Sequence, residues 1–218
     1  YYGNLVFLVN TDLVDTVPRS FADLLKPDYV DSVTVDDPRG ASQGNFTVMA
    51  AAFANGGDEG NVQPGLDYFR QLYEAGNMKS NEPDPATFQK GETIIGIVWD
   101  YLALEFRDQF EGQVNLEIVV PEDASIAGPY ASIINKYAPH PYAARLMRNY
   151  ILSPEGQALY AEGYATPILP DIEIPAEVAA KRPSAEEYAS VRTINDWNQG
   201  FVAFQQIADQ WGPFVLGQ

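Results

Sequence analysis

Gly91-Glu92-Thr93-Ile94-Ile95-Gly96-Ile97-Val98-Trp99-Asp100-Tyr101 decides how the rest of the chain is read. Its centre, Ile94 to Val98, is apolar without alternation. Such a run describes a strand buried on both faces, because one wet face would demand an apolar–polar alternation. The run stops at Trp99-Asp100-Tyr101, an aromatic, an acid and a phenol at the strand's C-terminal end. In open α/β sheets, ligands bind in the crevice outside those strand ends. The stretch therefore reads as an interior strand that delivers two aromatics and a carboxylate to a small-molecule site. A plainer account has the strand leaving the core, with Trp99 and Tyr101 packed and Asp100 capping the next helix.

Working outward, Leu5 to Val9 is a second apolar strand, ended by the turn formers Asn10-Thr11-Asp12. Ser20 caps a short helix, with Asp23 in the capping-box position, and Pro27-Asp28 stops it. Val33-Thr34-Val35 is a third strand, and Asp36 to Gly44 is a long polar turn. A helix follows from about Asn45 to Ala54, and another from Pro64 to Gly76. Asn81 to Gln89 is a connector, Leu102 to Phe110 is helical, and Val114 to Val120 alternates as a strand. Ala124 to Pro129 reads as irregular and Tyr130 to Asn135 as the next strand. Helices then open at Pro141 and at Ser153-Pro154, and Pro170 to Pro183 is punctuated by proline. Ser184 to Val191 and Asn195 to Trp211 read as the last two helices. Strands alternating with helices make this an α/β protein with a largely parallel or mixed sheet.

The 218 residues suffice for a sizeable core, and 46% apolar with 20% charged residues describes a soluble globular chain. No apolar run approaches the roughly 20 residues of a membrane-spanning helix. Thirteen basic against thirty acidic residues leave a net charge of −17, a surface that repels nucleic-acid phosphates. Cysteine is absent, which removes disulfides, thiol catalysis and zinc–thiolate sites. His140 is the only histidine, so a Ser-His-Asp triad or a multi-histidine metal site has little to work with. The chain opens at Tyr1-Tyr2-Gly3 without Met or a signal sequence, the expected look of a mature or trimmed piece of something longer.

Two places carry candidate chemistry. Between a strand and a helix, Asp36 to Gly44 offers free N–H groups at a helix start, with the Ser42 hydroxyl, Gln43 and Arg39 beside them. That set suits a carboxylate or phosphate, though no Walker or dinucleotide fingerprint is present. As a plain helix entry, the loop is equally well explained with Ser42 as the cap. Trp99, Asp100 and Tyr101 form the second place, and Tyr130 also falls where site loops are expected. Asp36, Asp37, Asp100, Glu122 and Asp123 all sit at strand ends. Converged, they would hold a cation or act as an acid/base pair, which makes a metal-assisted hydrolase the alternative function. Solvated turn carboxylates are the blander account. No cofactor motif is present.

Several segments, taken in order, resemble the type II solute-binding proteins of bacterial ABC importers. They are Ser20 to Tyr29, Val33 to Gly44, and Phe88-Gln89-Lys90-Gly91-Glu92 with the strand after it. Ser132 to Ala144, Ser153-Pro154-Glu155-Gly156-Gln157 and Gly163-Tyr164-Ala165-Thr166-Pro167 complete the series. The resemblance implies a two-lobed periplasmic-binding-protein-like fold with a mixed sheet flanked by helices. Residues 10–122 and 176–218 would form one nearly complete lobe. Residues 1–9 and 123–175 would supply the inter-lobe strands and the C-terminal part of the other, whose N-terminal half precedes Tyr1. It implies a non-enzymatic carrier, periplasmic or extracellular, that closes on a small polar or charged solute and hands it to a membrane permease, with no cofactor and no metal. Arg39, Ser42 and Gln43 would then face an anionic group, and Trp99, Asp100, Tyr101 and Tyr130 the remainder. Iron-binding relatives carry two adjacent tyrosines after this strand. Here Tyr101 is followed by Leu102, so tyrosinate chelation does not carry over. Polyamine-binding relatives place Trp and acids there, as Trp99 and Asp100 do, and Trp over an ammonium supplies a cation–π contact. A zwitterionic solute satisfies both halves of the site.

Overall fold

The computed structural model describes residues 1–79 and 81–218. Its organising element is β1 (Tyr2–Asn10), every residue of which from Gly3 onward is buried. The chain continues through α1 (Phe21–Leu24), β2 (Val33–Thr34), α2 (Ser42–Ala54), α3 (Gln63–Glu74) and α4 (Pro85–Gln89). Next come β3 (Ile95–Trp99), α5 (Asp100–Gln109), β4 (Leu116–Val119) and β5 (Ser125–Pro129). Then follow α6 (Pro141–Ile151), α7 (Pro154–Glu162), α8 (Ala176–Ala179), β6 (Val191–Arg192) and α9 (Trp197–Gln210), which runs into a π-helical end at Trp211–Leu216.

β1 is bonded along both edges. On one side it pairs antiparallel with β3, from Leu5 opposite Trp99 to Val9 opposite Ile95. On the other it pairs with β4 near its C-terminus and with β5 near its start, Tyr2 opposite Pro129. β2 joins β3 and β6 joins β5, both parallel, giving a mixed sheet in the order β2-β3-β1-β5-β6 with β4 also on β1. Helices cover both faces. Leu5, Phe7, Ile97 and Trp99 pack with Met49, Phe69 and Ile207 from α2, α3 and α9. Val6, Leu8 and Val98 pack with Ala103, Leu104 and Phe106 of α5 and with Phe88. That two-sided burial is why neither central strand alternates.

The caps follow local chemistry. Ser20 Oγ accepts the Asp23 N–H, and Asp84 and Thr87 close a reciprocal capping box at α4. Asn77 is buried and donates from Nδ2 to the Leu24 and Lys26 carbonyls at 2.7 and 2.9 Å, fastening the α1 turn under β2. Asn77→Ala is expected to cost about 1–2 kcal/mol by stranding those carbonyls, read from the midpoint of urea unfolding.

Three expectations need correction. The strand on the far side of β1 is Ser125–Pro129, the segment read as irregular, whereas Tyr130 to Asn135 forms no strand. Ser125 Oγ donates to the Leu5 carbonyl at 2.6 Å, and small residues at Ala127 and Gly128 let β5 lie close to its neighbours, a fit that hydropathy does not register. Ser42 is the first residue of α2 and not its cap, a position held by Ala41 without a side-chain hydrogen bond. Ser184 to Val191 is not an α-helix but a turn leading into a 3₁₀ helix at Glu187–Ser190, after which Val191 opens β6.

One helix stands apart. α6 has an apolar stripe through Tyr142, Leu146, Met147 and Tyr150, yet none of its residues is buried.

Candidate functional site

β2 and β3 run in the same direction, β1 runs against β3, and β5 runs against β1. One end of the sheet therefore collects the C-terminal ends of β2, β3 and β5 with the start of β1. Residues Asp36 to Ser42, Trp99 to Tyr101, Tyr130 and Tyr1 all lie there. α2 and α5 begin at that end too, so both point their positive N-terminal poles at it.

Two glycines decide where the aromatics sit. Gly3 of β1 and Gly128 of β5 are register partners. A Cβ on Gly128 would fall 2.2 Å from Cη2 of Trp99, and one on Gly3 would fall 2.7 Å from Cε1 of Tyr101. Both rings thus rest on bare backbone, the use of strand glycine that signals close approach. The Trp99 indole is held edge-on by Phe46 and Tyr130, at centroid distances of 5.3 and 6.4 Å, and is only 3% exposed. Tyr101 and Tyr130 hydroxyls meet at 3.1 Å. Tyr1 stacks on Tyr130 at 4.7 Å and also packs against Tyr160 of α7. Burial, reinforced by Tyr130, pushes the Tyr101 phenol well above its ordinary range, so it is a neutral hydroxyl at pH 7.

Gln43 is buried and both ends of its amide are engaged. Nε2 donates to Asp36 Oδ2 at 2.8 Å, and Oε1 accepts the Trp99 N–H at 3.0 Å. It ties the β2 exit loop to the end of β3. Burial raises the Asp36 carboxyl above its usual range, against the pull of the Gln43 bond. Arg39 forks onto Asp37, with Nη2 2.6 Å from Oδ2, and this hydrogen bond holds the Asp37 carboxyl below its usual range. Its guanidinium turns toward Gly212 and a cavity of about 300 Å³ shared with Lys79, Glu82 and Trp211. Arg39 is therefore not brought together with Trp99. Ser42 is exposed, and the N–H groups of Ser42, Gln43 and Gly44 have no partner among the described residues.

Asp100 is completely buried. Its carboxylate accepts from the Asn4 N–H at 3.0 Å, Asn4 Nδ2 at 2.8 Å, Tyr188 Oη at 2.9 Å and the Tyr101 N–H at 2.9 Å. Burial raises its pKa, and these bonds with the nearby Arg182 work the other way. With its oxygens engaged and no exposed surface, Asp100 stands behind the aromatics and does not face the opening, contrary to expectation. The other strand-end carboxylates also disperse. Asp123 caps α1 through the Phe21 and Ala22 N–H groups, and Asp37 pairs with Arg39. Among the described residues, no three His, Cys, Asp or Glu side chains group so as to hold a metal.

Sequence reasoning missed Asn4, Tyr188, Tyr1, Tyr160 and the two glycines. Gly3 and Gly128 fall outside the strands read from the sequence, Leu5 to Val9 and Tyr130 to Asn135, so the pattern did not mark them.

Residues 1–199 match the family described as bacterial extracellular solute-binding protein. The chain belongs to that family. It is 27% identical over 216 residues to the sulfate-binding protein of Escherichia coli K12, covering 94% of this chain and 62% of that protein. It is 26% identical over 202 residues to the spermidine/putrescine-binding periplasmic protein of Salmonella typhimurium, covering 90% and 56%. This family member thus spans about three fifths of the length of the curated relatives it matches. Its fold is similar to that of the periplasmic binding protein AfuA from Actinobacillus pleuropneumoniae, with a TM-score of 0.82 at 21% identity, covering 99% of this chain and 67% of that one. The proteins named are binding proteins, two of them named as periplasmic. No helix among the described residues is long and apolar enough to cross a membrane.

Proposed function

We propose that this chain is the solute-capturing part of a periplasmic or extracellular binding protein, which closes on a small polar or charged solute and delivers it to the permease of an ABC importer. One observation carries the reading. Three strand ends, an open helix N-terminus and a set of aromatic hydroxyls converge at the end of the sheet where β1 and β5 lie side by side. We read the chain as parts of two lobes. Residues 10–122 and 176–218 would form the first, with β2, β3, β4 and β6 and most of the covering helices, and 1–9 with 123–175 would supply β1 and β5 as the crossing strands together with part of a second lobe. The unburied apolar stripe of α6 supports that division, since such a stripe belongs on the inside of a folded unit.

Within this site α2 receives an anionic group on the free N–H groups of Ser42 to Gly44, with the Ser42 hydroxyl as a further donor. Trp99, Tyr101 and Tyr130 wall the remainder. Gln43 and Asp100 hold those walls, and Arg39 with Asp37 lies at the rim. The relatives named for sulfate and for polyamines mark the two extremes of charge, and the open helix N-terminus favours the anionic side.

Isothermal titration with sodium sulfate and with spermidine separates the two. Binding is expected with sulfate, and Ser42→Asp is expected to weaken it at least about tenfold, because a carboxylate at the helix start occupies the anion's place. The helix itself tolerates an acid in its first turn, so unfolding of the variant is not the expected cause. Heat with spermidine alone, unchanged by Ser42→Asp, would overturn the anion assignment.

A further inference from the structure

The segment from Lys181 to Tyr188 lies along α5 and is bonded to both of its ends. At the far end Lys181 Nζ reaches Asp108 Oδ2 at 2.6 Å and the Tyr164 hydroxyl at 3.1 Å, and Tyr164 donates to the same Asp108 oxygen. Arg107 Nη2 donates to the Lys181 carbonyl at 2.7 Å. At the near end Tyr188 donates to Asp100, directly behind Trp99 and Tyr101. Between them Arg182 donates to Thr166 Oγ1 and to the Ala165 carbonyl, each at 3.1 Å, and to the Tyr164 carbonyl. Thr166 is in turn bonded through both backbone groups to Tyr2 of the crossing strand β1.

One short segment therefore fastens α5, which opens at the candidate site, to Tyr164–Thr166, which belongs with α7 on the other side of the crossing. Tyr164 is held at φ 67°, a left-handed conformation costly for a side chain of its size. Surrounding bonds must hold it there. The Lys181–Asp108 pair is part exposed and would contribute little alone. Its significance lies in sharing Asp108 with a tyrosine from the opposite side. Burial by itself would raise the Asp108 carboxyl, but the bonds from Lys181 and Tyr164 bring it below its usual range, as a working acceptor of both requires.

We propose that residues 181–188 act as a brace that sets the angle between the two lobes, with Lys181, Arg182 and Tyr188 as positioning residues, of which Arg182 and Tyr188 also line a cavity of about 900 Å³ together with Tyr2, Asn4 and Thr166. The inference rests on the two-lobe reading above, and it predicts a geometric effect that can be measured without any solute.

The absence of cysteine allows spin labels to be placed at will. Labels at Glu74→Cys on α3 and Asn149→Cys on α6, both exposed, report the distance between the two parts by pulsed electron paramagnetic resonance. The parent chain is expected to give one narrow distribution. Lys181→Met and Tyr188→Phe are each expected to add a second, displaced population, and Lys181→Arg to restore the first. Tyr188→Phe removes only a hydroxyl, so it keeps the test alive if Lys181→Met does not fold. An identical distribution in folded Lys181→Met and Tyr188→Phe would overturn the brace. Failure to bind sulfate or spermidine, with the distances responding as expected, would count against the solute reading and leave the brace standing.

Discussion

Asp100→Ala is expected to lower the free energy of unfolding by about 3 kcal/mol, measured by urea denaturation followed by circular dichroism. The cost does not come from losing a charge, which burial disfavours. It comes from what is left behind: the Asn4 backbone N–H, the Asn4 amide and the Tyr188 hydroxyl keep their donors but lose their common acceptor, in a place that water does not reach. A buried donor without a partner costs about 1–3 kcal/mol, and the local packing relaxes enough that the three do not add in full. Asp100→Asn should cost less, because one acceptor oxygen remains. A loss below about 1 kcal/mol for the alanine variant would mean that these donors find other partners, and that Asp100 is not the anchor of the crossing.

Gly128→Val carries the second large effect, expected at about 3 kcal/mol. Its first added atom would fall within 2.2 Å of the Trp99 ring, far inside contact distance, and that ring is backed by Phe46. Neither side can yield cheaply in a close-packed interior. The ring must leave its seat, so the same change should expose indole to quenching by acrylamide. A double-mutant cycle separates clash from backbone effects. In a Trp99→Leu background, the cost of Gly128→Val should fall by more than half, since the branched side chain then meets space. An equal cost in both backgrounds would place the strain in β5 itself.

How much could be read beforehand differs element by element. Leu5 to Val9 and Ile94 to Val98 were legible as interior strands because helices on both faces make uninterrupted apolar runs compulsory. The Asp36–Ser42 loop and Trp99 were joined in one site by the family resemblance and not by spacing, and the parallel pairing of β2 with β3 puts them at the same end of the sheet. Ser125–Pro129 was not legible, because Ala127 and Gly128 are selected for closeness and not for hydropathy. The role of Asp100 was misread for a related reason. A carboxylate at a strand end looks the same whether it meets solvent or the Asn4 and Tyr188 side chains, and those partners lie 96 and 88 residues away in sequence. Arg39 was assigned toward the ligand on charge alone, while its nearest acid, Asp37, sits two residues before it and takes the guanidinium first.

The position of β1 bears on how the molecule is made. Val9 must wait for Ile95, Leu5 for Trp99, and Tyr2 for Pro129, so no local turn can complete the sheet. Pairings this distant close slowly, because the chain loses loop entropy before the contacts repay it. During synthesis an apolar pentapeptide, Leu5 to Val9, is displayed with both edges unpaired until β3 at Ile95–Trp99 has followed it, and with one edge unpaired until β4 at Leu116–Val119. That interval is when the protein is most exposed to aggregation and most in need of a chaperone, and at the second edge of the apolar run it ends with β4.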